Sequence, residues 1–478
     1  MPDHLAPGDL QEHPEQLRRR LNQRQLSMLA IGGAIGVGLF LGSGVTIQLA
    51  GPGVILSYLL GAVVALIVAF SLVEMAVVHP DAGSFGVYAE TYLSRWAGFA
   101  VRATYGFVQM IAIGAEVTAV AIYFAFWFPN VPQWVWVVGV SIGLITINTL
   151  QVARFGEFEY WFALIKVVAI LAFIGVGAAL IFGVGTRHAI GLSNLTAHGG
   201  FLPHGWTGVW LALTLVLTSY MGVEVIAVTA GEAERPEETI PKAMRTIVFR
   251  LILFYVLAIT VMLAMTPWDQ IGAGNGLTAS PFVRAFAIVG VPFAAGIMNA
   301  VVITAALSSC NTDLYLTTRM LFSLSRARFV PAWIGTLSKN GVPGRALAVS
   351  SAGMAAAILL AIYAPGKAFL ALYGIAVAGM FFVWTVILIT HIAFRRSLGV
   401  ERIARLPMHL RFYPYSTILG ILALFGITAA TFFVPGLEHT VPSFALFLAA
   451  ITLAYWIASR EAKKRAASAS SNHNSSTE

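Results

Sequence analysis

Apolar residues follow one another in long runs over almost the whole chain, from Leu26 to Ser459. Each run holds about 20 residues, which is enough for a helix to cross the hydrocarbon core of a bilayer. A chain in lipid must satisfy its backbone polar groups internally, so these runs are predicted to be helices. The pattern predicts an all-α polytopic membrane protein with 12 transmembrane helices. The predicted spans cover residues 26–47, 53–78, 97–128, 133–152, 159–182, 207–230, 246–266, 291–323, 346–363, 368–393, 415–434 and 442–459.

The composition excludes a soluble globular protein. Of the 478 residues, 58% are hydrophobic and 10% are charged, whereas about 25% of the residues of a soluble domain are charged. The one cysteine, Cys310, lies in an apolar run, so no internal disulfide is possible. The histidines have no metal-ligand spacing, and the sequence contains no nucleophile–base set or phosphate loop. We expect no cofactor, no metal and no enzymatic activity.

The positive charges lie mainly between particular spans. If the N-terminus is cytoplasmic, 23 of the 29 Lys and Arg residues fall in cytoplasmic segments, and only Arg187, Arg284 and Lys367 fall in outside loops. This bias follows the positive-inside rule. It predicts a multi-pass protein of the cell inner (plasma) membrane with both termini cytoplasmic. The net charge of +8 is therefore a topology signal, and we expect the lipid bilayer, not nucleic acid, as a partner.

The first predicted span contains six glycines between Gly32 and Gly44. A glycine in a helix interior costs about 0.8–1 kcal/mol relative to alanine. One interpretation is close packing, because small residues are common where membrane helices touch. The other is an unwound segment near Ile35–Gly38, which would expose backbone N–H and C=O groups to a cavity.

The sixth predicted span is the counterpart of the first, because its apolar run is also interrupted. It places Ser219, Tyr220, Gly222 and Glu224 within the membrane. Spans 1 and 6 each open a set of five spans, and two such sets insert in opposite orientations. Interrupted helices at matching positions of two inverted halves indicate a transporter site. Such a site suits a zwitterion: helix N-terminal N–H groups bind its carboxylate, and free carbonyls bind its amine.

The predicted substrate site draws on spans 1, 3 and 6. The carboxylate is expected at the N–H groups around Gly36–Gly38, and the amine at carbonyls near Ala34, Ile35 and Ser219–Tyr220. Glu116, in span 3, has two interpretations: it faces the cavity and assists with protons or a substrate amine, or it pairs with a neighbouring polar group. The candidate substrate-binding residues are Ala34, Ile35, Gly36, Val37, Gly38, Ser219, Tyr220, Gly222 and Glu116.

Four motifs occur in order along the chain: Gly32–Gly44, Ala50–Gly53, Phe155–Lys166 and Gly222–Lys242. Together they resemble the amino acid transporter family of the amino acid–polyamine–organocation superfamily, the amino acid permeases. The resemblance implies a five-plus-five inverted repeat with broken helices 1 and 6, followed by two C-terminal helices. The family often has a hydroxyl residue where this chain has Val37, which weakens any inference about the substrate.

The resemblance also implies a division of the chain. Residues 1–25 form a cytoplasmic N-terminal segment, 26–182 the first repeat, 207–393 the second repeat and 415–459 helices 11 and 12. Residues 460–478, rich in Lys, Ala and Ser, are expected to be a disordered cytoplasmic tail.

Charged residues inside membrane spans are costly and usually functional. By resemblance to the family, Glu224 and Lys166 are candidates for proton coupling. The structural alternatives are a buried acid that bridges helix ends for Glu224 and a snorkelling side chain for Lys166. Charges near the cytoplasmic ends of their spans are expected to form gating pairs or to snorkel, outside the substrate site. These are Glu74, Arg102, Arg250 and Asp313.

These features predict a secondary active permease that takes up neutral L-amino acids, aliphatic or aromatic, with protons and by alternating access. The expected partners are an amino acid substrate, protons and the bilayer. Three alternatives stay open: an exchanger that needs no proton gradient, a carrier of cationic amino acids or 4-aminobutyrate, and a substrate-sensing receptor with a transporter fold.

Overall fold

The computed structural model describes residues 35–81, 83–149, 152–184, 188–228, 238–242, 244, 253–272, 280–290, 292–338, 342–363 and 368–474. Within these ranges the chain is helical and contains no β-strand. The α-helices are α1 Ser43–Ala50, α2 Val54–Val78, α3 Ser84–Tyr92, α4 Arg95–Phe124, α5 Gln133–Asn148, α6 Val152–Ile181, α7 Gly205–Ser219, α8 Val225–Val228, α9 Ala258–Met265, α10 Trp268–Gly272, α11 Pro281–Ile288, α12 Pro292–Arg326, α13 Gly344–Ser350, α14 Ala352–Tyr363, α15 Ala368–Leu398, α16 Val400–Ala404, α17 Tyr415–Ala430 and α18 Thr440–Asn474.

The described part of the chain contains eight helical segments that are long and apolar enough to cross a membrane. Three shorter apolar helices, Gln133–Asn148, Gly205–Ser219 and Leu253–Met265, lie within further predicted spans. The prediction of an all-α polytopic membrane protein is therefore confirmed. The count of 12 spans and their inverted repeat stay predictions.

A turn at Gly51 separates the first two predicted spans. Gly51 has φ of +58°, a conformation that side chains other than glycine rarely adopt. A Cβ atom at this position would also collide with the ring of Pro203. Only glycine fits this corner, after which the chain continues into α2.

Helix α4 lies at the centre of the fold. It packs against α12 and α15 as its main neighbours, and most of its residues are buried. Its contact with α14 is close, because a Cβ on Gly353 would collide with the backbone of Met110. Small residues allow such backbone contact between membrane helices, so α4 is held in a fixed position from which its polar residues reach the interior.

Two charged groups that were expected at span ends form ion pairs. Arg102 binds Glu90 at 2.7 Å. Glu74 is fully buried and binds both Arg395, at 2.6 and 2.8 Å, and His391, at 2.9 Å. Its Oε1 also accepts the N–H of Leu410. This network joins α2, α15 and the segment before α17. Arg250 lies outside the described residues.

The last helix extends beyond the predicted span 442–459. Helix α18 runs to Asn474, through most of the segment that the sequence predicts to be a disordered tail. The physical reason is local, because residues 460–467 are all Arg, Lys, Glu or Ala, which have the highest helix propensities.

Candidate functional site

The sixth predicted span is broken in the structure. Helix α7 ends at Ser219, a turn follows, and α8 begins at Val225. Gly222 within the turn has φ of +103°, which favours glycine. Two tyrosine hydroxyls connect the break to its neighbours: Tyr255 donates to the Ser219 carbonyl at 2.7 Å, and Tyr220, within the turn, donates to the Tyr58 carbonyl at 2.9 Å.

The first predicted span also contains non-helical backbone. Ile35 and Gly36 are bends, and a π-helical stretch, Gly38–Gly42, leads into α1. The Gly36 carbonyl accepts the N–H groups of Leu39 and Phe40 at 3.2 and 3.4 Å. Because the first N–H groups of a helix have no intrahelical partner, those around Gly36–Gly38 are available to an anion. The residues before Ile35, including Ala34, lie outside the described part of the chain.

The two breaks meet at a cavity of about 50 Å³. The predicted site residues that line it are Gly36, Val37, Gly38, Glu116, Ser219 and Gly222. Further lining residues come from α4, α7, the turn after it and α12: Gln109, Ala112, Ala115, Thr218, Met221, Ser309 and Asp313. Backbone from two interrupted helices and acidic side chains from two continuous ones thus surround one buried space.

Glu116 lies directly at the break in the first span. Its carboxylate faces the hydroxyl of Ser309 and the backbone N–H of Val37. A Cβ on Gly36 would lie 3.2 Å from Glu116 Oε1 and 2.5 Å from Ser309 Oγ, so glycine is required for this approach. Glu116 Oε2 is buried without a hydrogen-bond partner among the described residues. The carboxylate therefore occupies the end of the helix that favours anions.

Comparison with known proteins identifies the family. The sequence model described as "amino acid permease" matches residues 25–469. This chain belongs to the amino acid permease family. It is 42% identical over 417 residues to the uncharacterized amino acid permease YtnA of Bacillus subtilis strain 168, covering 87% of this chain and 89% of the relative. The family implies an amino acid substrate and an integral membrane location.

Other relatives carry a more specific name. The aromatic amino acid transport protein AroP of Salmonella typhimurium strain LT2 is 37% identical over 456 residues, covering 95% of this chain and 98% of the relative. AroP of Escherichia coli strain K12 is 37% identical over 454 residues, with the same coverage of both chains. The permease is thus similar to both over nearly its full length.

Four of the predicted site residues of the permease lie beside the cavity and do not line it. Ile35 and Tyr220 are fully buried, and the Tyr220 hydroxyl is directed to Tyr58. Glu224 lies at the end of the turn, where its carboxylate accepts the N–H of Gly222 at 3.1 Å and the hydroxyl of Tyr105 at 3.2 Å. The fourth residue is Lys166.

Lys166 is fully buried in α6 and does not reach the surface of the protein, so the snorkelling interpretation does not fit. It lies within electrostatic reach of Glu159, Glu116 and Asp313. Glu159 is buried as well and accepts a hydrogen bond from Ser308.

Asp313 was expected to lie outside the substrate site. Asp313 lines the cavity, and its Oδ1 accepts a 2.8 Å hydrogen bond from Gln109 Nε2. Helical spacing in the sequence could have indicated that Gln109 and Asp313 line the cavity. Gln109 and Glu116 are seven residues apart in α4, and Ser309 and Asp313 are four residues apart in α12, so each pair shares one helix face.

Proposed function

We propose that the permease takes up neutral L-amino acids, aliphatic or aromatic, together with protons and by alternating access. The observation that carries this proposal is the single cavity at which two interrupted helices meet. Interrupted helices at a buried site are typical of secondary transporters. The proposed membrane topology of the permease is a five-plus-five inverted repeat followed by two further helices, with both termini cytoplasmic. The breaks in spans 1 and 6 and the distribution of Lys and Arg support that topology.

Two observations favour aromatic amino acids among these substrates. The AroP relatives are named for aromatic amino acid transport. The cavity wall includes the apolar residues Val37, Ala112, Ala115 and Met221, and the alanines on α4 add only methyl groups to it. A wall of this kind favours a neutral side chain over an anionic one, because neither the apolar residues nor the carboxylates of Glu116 and Asp313 compensate a second buried negative charge.

The backbone around the cavity suits the two charges of an amino acid. The substrate carboxylate binds the N–H groups of Gly36–Gly38, and the amine binds carbonyls at the breaks, including that of Ser219. The Ser219 carbonyl keeps capacity for the amine beside its bond from Tyr255, because a carbonyl oxygen has two lone pairs.

Glu116 connects substrate binding to protons in this proposal. Two carboxylates about 4 Å apart repel each other by about 4 kcal/mol at an effective dielectric constant of 20. The substrate carboxylate can therefore share the helix end with Glu116 only after Glu116 takes up a proton or moves away. Glu224 and Lys166, both buried next to the cavity, are proposed to complete the proton path.

Uptake by purified protein in liposomes tests the proposal. A panel of labelled amino acids is offered with and without an inside-alkaline pH gradient, to the wild type and to Lys166→Ala. We expect gradient-dependent accumulation of aromatic and aliphatic amino acids, which Lys166→Ala abolishes. The matched control is Lys242→Ala, which removes an exposed lysine that pairs with Glu238. Exchange that needs no gradient and survives Lys166→Ala would instead support the exchanger.

A further inference from the structure

A hydrogen-bonded polar pair lies away from the helix breaks in the same cavity. Gln109 precedes Glu116 by seven residues on α4, which is about 10 Å along the helix. Asp313 follows Ser309 by four residues on α12, about 6 Å. Since Glu116 and Ser309 mark the break in span 1, the pair Gln109–Asp313 lies one to two helical turns away from the position proposed for the substrate's charged groups.

The chemistry of this pair is dominated by hydrogen-bond acceptors. Gln109 Nε2 donates to Asp313 Oδ1 at 2.8 Å, which uses one of its two donors. A carboxyl group has two oxygens with several acceptor positions, so one bond from Gln109 leaves most of them open. Asp313 is only partly buried and lines the cavity. Ala112 lies between the pair and Glu116 on α4 and adds only a methyl group to the wall.

We infer that Gln109 and Asp313 form the subsite for the substrate's side chain and select side chains that end in a hydrogen-bond donor, tyrosine before phenylalanine. The inference rests on the proposed amino acid transport. Phenylalanine would fill the same space but would remove water from the carboxylate of Asp313 without replacing its hydrogen bonds, and a buried polar group that loses its partner is penalised.

Kinetics with tyrosine and phenylalanine in proteoliposomes test this subsite. The wild type is expected to carry tyrosine with a kcat/KM about tenfold or more above that for phenylalanine. Asp313→Leu and Gln109→Leu should each lower the tyrosine-to-phenylalanine ratio of kcat/KM by about tenfold, whatever their effect on uptake as a whole. The double variant should be no worse than the single ones, because both remove one interaction.

The ratio of the two kcat/KM values does not depend on how much of the protein is folded, so it serves as the internal control for folding. Asp313→Asn, which keeps a carbonyl acceptor, should retain a preference for tyrosine. Equal kcat/KM values for the two substrates in the wild type would overturn the subsite and leave the proposed transport intact. An equal loss for both substrates in Asp313→Leu and in Asp313→Asn would also overturn it. Transport of neither substrate, nor of any aliphatic amino acid, by the wild type would overturn the proposed function itself.

Discussion

The hydroxyl of Tyr105 donates a 3.2 Å hydrogen bond to the carboxylate of Glu224. The same carboxylate accepts the N–H of Gly222 at 3.1 Å and so holds the turn that interrupts the sixth span. Tyr105 lies one helical turn before Gln109, which bonds to Asp313. Helix α4 is thus bonded to the broken helix and to α12 at neighbouring turns. A movement of the break relative to α4 must separate Tyr105 from Glu224.

Replacing Glu224 by Gln is expected to separate transport from its driving force. The amide keeps the size of the side chain and one accepting oxygen but cannot ionise. Gradient-driven accumulation should fall roughly 5–150-fold, the usual range of coupling between linked sites, while counterflow of substrate is retained. Both are measured in the same vesicles. The matched control, Tyr105→Phe, removes the bond but keeps the carboxylate, so uptake should slow and still respond to the gradient. Wild-type accumulation by Glu224→Gln would contradict this role.

Replacing Glu116 by Gln is expected to change how substrate binding depends on pH. If the substrate carboxylate competes with ionised Glu116 for the N–H groups of Gly36–Gly38, affinity in the wild type decreases as pH rises. The neutral amide removes this competition, so affinity should become nearly independent of pH. Equilibrium binding of a labelled amino acid across a pH series measures the effect. A parallel decrease in both proteins would show that Glu116 is not the group responsible.

Replacing Gly36 by Ala is expected to abolish transport, because the added Cβ would lie 2.5 Å from Ser309 Oγ and 3.2 Å from Glu116 Oε1. Adding Ser309→Ala should restore part of the uptake, since it removes the closest atom. Gly139→Ala is the control: Gly139 lies in α5, and a Cβ there meets nothing within 4 Å. If Gly36→Ala carries substrate as fast as Gly139→Ala, the close approach has no role in transport.

Replacing Glu74 by Ala is expected to destabilise the protein. The change leaves Arg395 and His391 without their buried carboxylate, and breaking a buried ion pair costs about 3–5 kcal/mol. Thermal unfolding in detergent should therefore begin at a clearly lower temperature than in the wild type. The exposed acid Glu438 provides the control Glu438→Ala. Equal unfolding temperatures for the two variants would mean that the network adds no stability.

Apolar runs predicted the helices because the requirement for internal backbone hydrogen bonds in lipid leaves few alternatives. Glycine and polar residues likewise indicated the breaks near Gly36 and Gly222. The orientation of individual side chains could not be predicted in this way. Tyr220 is directed away from the cavity by its bond to the Tyr58 carbonyl, a contact between residues 162 positions apart in sequence.

Asp313 is the converse case, because it was not predicted to line the cavity and does so. Its position near the end of a predicted span indicated a gating or snorkelling charge. Which face of α12 packs against α4 depends on tertiary contacts that hydropathy does not report, and that packing brings Asp313 to Gln109. At the C-terminus, the helix propensity of the Lys- and Ala-rich segment was underestimated, and α18 continues through that segment to Asn474.

Proton entry during substrate uptake tests the central claim most directly. Liposomes that contain the purified permease and an internal pH indicator are prepared at equal pH on both sides, and phenylalanine is added outside. The account predicts acidification of the lumen that accompanies uptake of labelled phenylalanine and is absent with Gly36→Ala. Uptake of phenylalanine by the wild type without any acidification would contradict it.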